Sequence, residues 1–282
     1  MNSLSNLSTI KDILGRHGFH FSKALGQNFL INPSVCPRMA EASGVDETSG
    51  AIEIGPGIGV LTRELAQRAG KVVAVELDRR LLPVLDETLA EFDNVTVVNE
   101  DVLKLDLRAL LEREFAGMDV AVCANLPYYI TSPVIMRLLE ERLPISSLTV
   151  MVQKEAARRI CAQPGTRECG AVTAAVHYYA QPEILFEVSR GSFLPAPNVD
   201  SSVIRLTLRE QPAVQVESEQ RFFALIKAAF GQRRKTLQNA VSAGLGIPKE
   251  DVGQALDAAG LDRRIRAEQL SLEDFARLSN QI

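Results

Sequence analysis

The sequence predicts an α/β protein followed by a small all-helical part, and three observations carry that reading. Ala51-Ile-Glu-Ile-Gly-Pro-Gly-Ile-Gly-Val60 runs from a short buried strand into a helix marked by Val60, Leu61, Leu65 and Ala66. Four further apolar strands follow, at residues 71–77, 95–99, 119–124 and 148–153. Beyond residue 218 the apolar residues fall at helical spacing instead.

Gly55, Gly57 and Gly59 spell G-x-G-x-G on the strand-to-helix turn. Such a turn lets backbone N–H groups approach a ligand closely, and the helix N-terminus favours anionic or polar ligand atoms. A dinucleotide fingerprint asks for a small residue one place later, where Val60 stands, so a pyrophosphate ligand is disfavoured. A shorter cofactor with one nucleoside and an amino-acid tail suits the loop better, which describes S-adenosylmethionine. Taken alone, the loop also reads as a tight turn in any α/β protein.

Composition narrows the classes. At 282 residues and 46% apolar content, the chain suits one large domain and one smaller. No apolar run reaches the length of a membrane span, and Met1 to Lys23 is polar and mixed, so a cytoplasmic protein with no membrane partner is expected. Cys36, Cys123, Cys161 and Cys169 are scattered, and His17, His20 and His177 form no ligand pattern, so neither a disulfide framework nor a metal is expected. The net charge is −4, divided as −5 over residues 1–210 and +1 over the remainder. Any nucleic acid must therefore be held by local basic patches.

Before the first strand, Lys23-Ala-Leu-Gly-Gln-Asn-Phe-Leu30 reads as a segment packed over a site, with the Gln27 and Asn28 amides available for hydrogen bonds. Glu76 closes the strand at residues 71–77, where a carboxylate accepts from both hydroxyls of an unphosphorylated ribose. Glu100-Asp101 follows the next strand, and one of these acids suits the exocyclic amine of a cofactor adenine.

The strand at 119–124 runs into Asn125-Leu-Pro-Tyr-Tyr-Ile-Thr131. An exocyclic adenine amine is a poor nucleophile because its lone pair is delocalised into the ring. The Asn125 side-chain oxygen and a nearby carbonyl such as Leu126 can accept its hydrogens and draw the nitrogen towards tetrahedral geometry. Pro127 stiffens the turn, and Tyr128 can stack on a base taken out of its helix. Transfer from a sulfonium needs positioning more than acid–base machinery.

Farther on, Glu183–Val188 and Val203–Leu208 read as strands flanking Phe193-Leu-Pro-Ala-Pro-Asn-Val-Asp200. In that loop Phe193 is a candidate second stacking face for the target base, or else a hydrophobic plug. Gln211 to Ser218 is polar and aperiodic, which puts the domain boundary there. A helix is expected over Gln232 to Ala243, headed by Arg233-Arg234-Lys235, the densest basic run and, with Lys23, the candidate RNA contact. A second basic segment, Lys154 to Arg159, reads more simply as a solvated helix face.

These motifs, in this order and over nearly the whole chain, resemble the KsgA/RsmA family of small-subunit ribosomal RNA adenine N6,N6-dimethyltransferases. The matching residues are Leu25-Gly-Gln-Asn-Phe-Leu30, Glu53-Ile-Gly-Pro-Gly-Ile-Gly59, Val75-Glu-Leu-Asp78, Glu100-Asp101, Asn125-Leu-Pro-Tyr128, Phe193-x-Pro-x-Pro197 and Ala229-Phe-Gly-Gln-Arg-Arg-Lys-Thr-Leu237. The resemblance implies a Rossmann-like class I methyltransferase with a seven-stranded sheet (residues 1–210, with an N-terminal arm over 1–30) and a helical RNA-recognition domain (211–282). It implies S-adenosyl-L-methionine as cofactor, held by Asn28, Leu30, Gly55, Glu76, Asp101 and Asn125, with Gly57 in the same turn. Its implied substrate is two adjacent adenosines in the 3′-terminal hairpin loop of 16S rRNA, within the 30S subunit or its precursor. Asn125, Leu126, Pro127, Tyr128 and Phe193 are then the candidate catalytic residues. Two positions depart from the pattern. Tyr129 stands where some members carry Asn, and Cys169 precedes Gly170 where an aromatic is frequent.

Two other functions compete. An Erm-type enzyme acting on 23S rRNA shares most of these motifs, but Phe230-Gly-Gln-Arg-Arg-Lys235 argues against it. A non-catalytic assembly or transcription factor on the same fold has no need of the intact Asn125-Leu-Pro-Tyr128.

Overall fold

The computed structural model describes every residue except 1–3, 5, 23–25 and 233. The chain forms two compact units, Met1–Ala157 with Glu183–Leu208, and Arg158–Pro182 with Arg209–Ile282.

In the first unit, α1 (Leu7–Arg16), β1 (Phe29–Leu30) and α2 (Val35–Ala42) lead into a regular alternation. It runs β2 (Gly50–Ile54), α3 (Val60–Ala66), β3 (Lys71–Glu76), α4 (Leu82–Thr88), β4 (Val95–Asn99), α5 (Leu107–Glu114), β5 (Val120–Asn125), α6 (Thr131–Glu140), β6 (Ser147–Gln153) and α7 (Lys154–Cys161). After α8 (Ala171–Tyr179) come β7 (Ala180–Val188), β8 (Phe193–Leu194) and β9 (Ser201–Leu208). Among the described residues the main sheet has seven strands in the order β4-β3-β2-β5-β6-β9-β7.

β2 pairs in parallel with both β3 and β5, β3 with β4, and β5 with β6, whereas β9 runs antiparallel to β6. The central strands are almost wholly apolar, as strands of a parallel sheet buried on both faces are; β2 is buried along its whole length, Glu53 included. From β2 the chain winds outward through β3 and β4, then returns to β5 on the other side. This reversal opens a crevice at the carboxyl ends of β2 and β5, where open α/β sheets bind ligands. The register sets Ile54 beside both Val75 and Ala124, so the loops after β2, β3 and β5 leave the sheet at one level.

The second unit is helical: α9 (Glu219–Phe230), α10 (Leu237–Leu245), α11 (Lys249–Ala258) and α12 (Leu272–Ser279) enclose a core that includes Phe222, Leu225, Leu237, Val241, Leu256 and Phe275. Residues 158–182, placed by sequence in the first domain, pack here instead. Ala174 and Tyr178 on α8 join this core, and the Tyr178 ring lies 5.1 Å from that of Phe222. The polar break near residue 211 marks one crossing of the chain; the earlier crossing, inside α7, has no compositional mark.

The helix expected from Gln232 begins later. Gly231 ends α9, the Lys235 N–H closes a turn on the Gln232 carbonyl at 2.9 Å, and Leu237 is the first helical residue. Its N–H donates to the Ile265 carbonyl at 2.8 Å, which satisfies a helix-end donor from another segment. Arg234 and Lys235 thus precede the helix on an exposed turn and do not head it.

Candidate active site

The glycine turn after β2 has positive φ at all three glycines (72°, 60° and 87°), a conformation that side chains resist. A Cβ on Gly57 would also sit 3.2 Å from the Phe29 ring. The turn is tied down by Gly55 N–H to the Val75 carbonyl (2.9 Å) and Gly59 N–H to the Pro56 carbonyl (2.9 Å).

Glu76 ends β3 almost fully buried. Its Oε2 accepts from the Gly57 N–H at 3.3 Å and its Oε1 from the Asp78 N–H at 2.7 Å. Each oxygen keeps a lone pair for a further donor. Burial pushes its carboxyl above the ordinary value, partly offset by those N–H bonds. Next to it, Asp78 holds Arg80 (2.6 and 2.9 Å) and the Gln27 amide (2.8 Å), and the Arg80 bonds keep its carboxyl below the ordinary range. Gln27 also accepts from the Ser22 N–H, so its amide braces the N-terminal segment and is not free as the sequence suggested.

At the end of β5, the Asn125 side-chain Nδ2 donates to the Asn28 backbone carbonyl at 3.2 Å. A carbonyl can only accept, so this contact assigns the amide and leaves Asn125 Oδ1 as its acceptor end. Asn28 Nδ2 in turn donates to the Gly26 carbonyl at 3.0 Å. Leu126 is buried and its N–H reaches the Met151 carbonyl; Pro127 and a short helical turn over Tyr128–Ile130 follow. Tyr128 is half-buried with its hydroxyl 2.7 Å from Ser201 Oγ, while Tyr129 is 57% exposed.

These groups line one cleft of about 1060 Å³, its open mouth included. Asn28, Leu30, Gly55, Gly57, Glu76, Asp101, Asn125, Leu126, Pro127 and Tyr128 all reach it. Asp101 caps its own turn through the Leu103 N–H at 2.9 Å.

Phe193 does not line the cleft. It is 3% exposed, pairs with Leu30 across β1 and β8, and belongs to the apolar core beneath the sheet. Its ring has no face to offer a base, and the plug reading describes it. Lys23 and Arg233 lie outside the described residues. Arg234 and Lys235 are exposed in the second unit, and the Leu237–Ile265 bond brings the segment with exposed Arg264 and Arg266 beside their turn. The second unit carries 14 basic and 11 acidic residues, against 17 and 24 in the first, so positive charge is concentrated in the helices.

Sequence reading missed Glu53. It lies on β2, 1% exposed, lines the cleft, and its Oε2 has no hydrogen-bond partner among the described residues. Burial pushes its carboxyl up to about 8. One signal was available: an acid in the middle of an otherwise wholly apolar buried strand. Among the described residues, no three His, Cys, Asp or Glu side chains are grouped to hold a metal ion, and no helix is long and apolar enough to cross a membrane.

A glycine turn and an Asn-Leu-Pro-Tyr turn facing one cleft at the reversal point of a seven-stranded sheet define a Rossmann-like methyltransferase. The family model described as ribosomal RNA adenine dimethylase matches residues 18–282, and the chain belongs to that family. It is 52% identical over 276 residues to the ribosomal RNA small subunit methyltransferase A of Geobacillus thermodenitrificans, covering 96% of this chain and 94% of that one. It is 50% identical over 286 residues to the protein of the same name from Bacillus mycoides, covering 100% and 98%. Among solved structures, the 23S rRNA methyltransferase ErmE superposes with a TM-score of 0.68 at 30% identity, covering 90% of this chain and 99% of that one. A dimethyladenosine transferase from Plasmodium falciparum gives 0.72 at 24% identity, covering 89% and 95%, a likeness of fold. The protein is a ribosomal RNA adenine dimethyltransferase.

Proposed function

We propose that this chain uses S-adenosyl-L-methionine to convert two adjacent adenosines of the 3′-terminal hairpin loop of 16S rRNA to N6,N6-dimethyladenosine, in the cytoplasm, on the 30S subunit or its precursor. The observation that carries the chemistry is the Asn125 amide clamped by the Asn28 carbonyl, which turns its Oδ1 into a fixed acceptor. The names and near-complete coverage of relatives at 50–52% identity support the small-subunit substrate.

The residues present fit this cofactor. Glu53 offers a buried carboxylate oxygen without a partner, the complement of an amino-acid ammonium. Glu76 keeps lone pairs for ribose hydroxyls, Asp101 stands after the next strand for the adenine amine, and Gly55 and Gly57 bring backbone close without side chains. Asn28 and Leu30 line the same cleft from the N-terminal segment. When bound, the cofactor supplies an electrophilic methyl group on a sulfonium.

Asn125 Oδ1 and the Leu126 carbonyl accept hydrogens from the target N6 and turn its lone pair out of conjugation. Because both acceptors are set before the substrate arrives, little reorganisation is needed during transfer. Pro127 holds the turn between them, and Tyr128 stacks on the extruded base. The exposed cations Arg234 and Lys235, with Arg264 and Arg266 beside them, supply RNA affinity from the helical unit.

Mass spectrometry of 16S and 23S rRNA from cells with and without this gene product tests the assignment. Dimethyladenosine that vanishes from 16S rRNA on deletion is the expected result. Loss from 23S rRNA would reassign the enzyme to the activity of its solved neighbour ErmE, and no loss from either would refute the proposal.

A further inference from the structure

We propose that Ser201 is a positioning residue that holds the Tyr128 ring over the cleft, and that the proline-rich segment before β9 serves to deliver its hydroxyl. The inference rests on the adenine-methylating reading above and extends it to a group outside the cleft lining.

The Tyr128 side chain is half-buried at the catalytic turn, and none of the aromatic contacts among the described residues involves its ring. No aromatic neighbour among the described residues therefore fixes its orientation. A polar contact holds its far end, where Oη and Ser201 Oγ lie 2.7 Å apart. The hydroxyl lies on the axis about which the ring turns, so this bond fixes the direction in which the side chain points, its inner torsion, rather than the tilt of the ring plane.

Ser201 is fully buried and cannot drift. It is the first residue of β9, with Gln153 of β6 as its Cα partner. Asp200 just before it is fixed twice, its carbonyl accepting from the Lys154 N–H at 3.0 Å and its Oδ1 from the Arg190 N–H at 2.9 Å. The anchor is thus built into the sheet before any substrate arrives.

The pairing joins two sequence motifs 73 residues apart. Phe193, buried in the core, anchors the near end of the proline-rich segment, and Ser201 stands at its far end. What reading the sequence assigned to Phe193 as a stacking face is served indirectly: the segment orients the stacking ring of Tyr128. Burial raises the Tyr128 phenol above its ordinary value, so the hydroxyl stays protonated and able to donate to Ser201. Holding the ring in place in advance removes an ordering cost from base capture.

Single-turnover methyl transfer to small-subunit particles from cells lacking the enzyme tests this, using wild type, Ser201→Ala, Tyr128→Phe and the double variant. Tyr128→Phe keeps the ring and removes the bond from the other side, without touching the buried strand. Each single change should lower the saturating rate by roughly 2–12-fold, the worth of one hydrogen bond, and the double no further. Cofactor affinity by calorimetry and particle affinity should stay at wild-type levels. A wild-type rate in folded Ser201→Ala or Tyr128→Phe overturns the proposal, as do losses that multiply in the double variant. A loss of rate accompanied by an equal loss of cofactor affinity also overturns it, because it marks a structural role. If wild type itself makes no dimethyladenosine on these particles, the function fails, and the positioning role fails with it. That outcome is distinct from an active wild type with indifferent variants.

Discussion

Replacing Glu53 by Gln perturbs the cleft where its hydrogen bonding is least complete. In the native chain this carboxyl titrates near 8, because burial disfavours its charge, against about 4.5 when unfolded. A raised value means that the folded state holds the proton more tightly. The associated stability is therefore complete below about pH 4.5 and is lost as pH rises towards 8. At about 1.4 kcal/mol per unit the full span is worth about 5 kcal/mol, of which roughly 3 is gone by pH 7. The ligand-free Gln variant should show a flatter dependence of Tm between pH 5 and 8 and exceed wild type at the upper end.

Cofactor binding supplies the complementary readout. With its value pushed up to about 8, the Glu53 carboxyl is mostly protonated at pH 7. An ammonium seated against Oε2 favours the carboxylate, so binding should expel that proton. Calorimetry in buffers of different ionisation enthalpy should find more proton released per cofactor by wild type than by Glu53→Gln, together with weaker binding in the variant. Equal proton counts, or equal affinities, would refute the assignment of Glu53 to the ammonium.

Three further outcomes are expected. Glu76→Ala should weaken cofactor binding by roughly 1.5–3 kcal/mol, the range for hydrogen bonds to a charged group; unchanged affinity by calorimetry would remove Glu76 from the site. Asn125→Ala should reduce the single-turnover rate far more than particle affinity, and the second methylation should suffer at least as much, since monomethyladenosine keeps one N–H to grip; wild-type rates would sink the clamp mechanism. Arg234→Ala with Lys235→Ala should lower the slope of log affinity against log salt by roughly 0.7–0.9 for each phosphate no longer neutralised, leaving cofactor affinity alone; a wild-type slope in the folded variant would show that this turn does not touch RNA.

The sequence by itself determined the α/β architecture and the elements that bear the cleft. G-x-G-x-G after an apolar strand, the carboxylate at Glu76 and Asn125-Leu-Pro-Tyr128 are local patterns whose backbone needs are met by residues next to one another. Their convergence also follows from chain order, because parallel strands carry their following loops to one end of the sheet. What local pattern does not encode is which side chain a distant residue will meet. Phe193 looked available for stacking, but pairing with Leu30 buries it. Gln27 looked free, but Asp78 and Ser22 hold it. The basic run looked like a helix start until Ile265, from another segment, took the Leu237 N–H. The 158–182 segment joined the helical unit because the partners for Ala174 and Tyr178 lie beyond residue 211. Tertiary packing decided the state of Glu53 and the partner of Ser201 as well: burial gives Glu53 its raised carboxyl, and sheet register sets Ser201 against Tyr128.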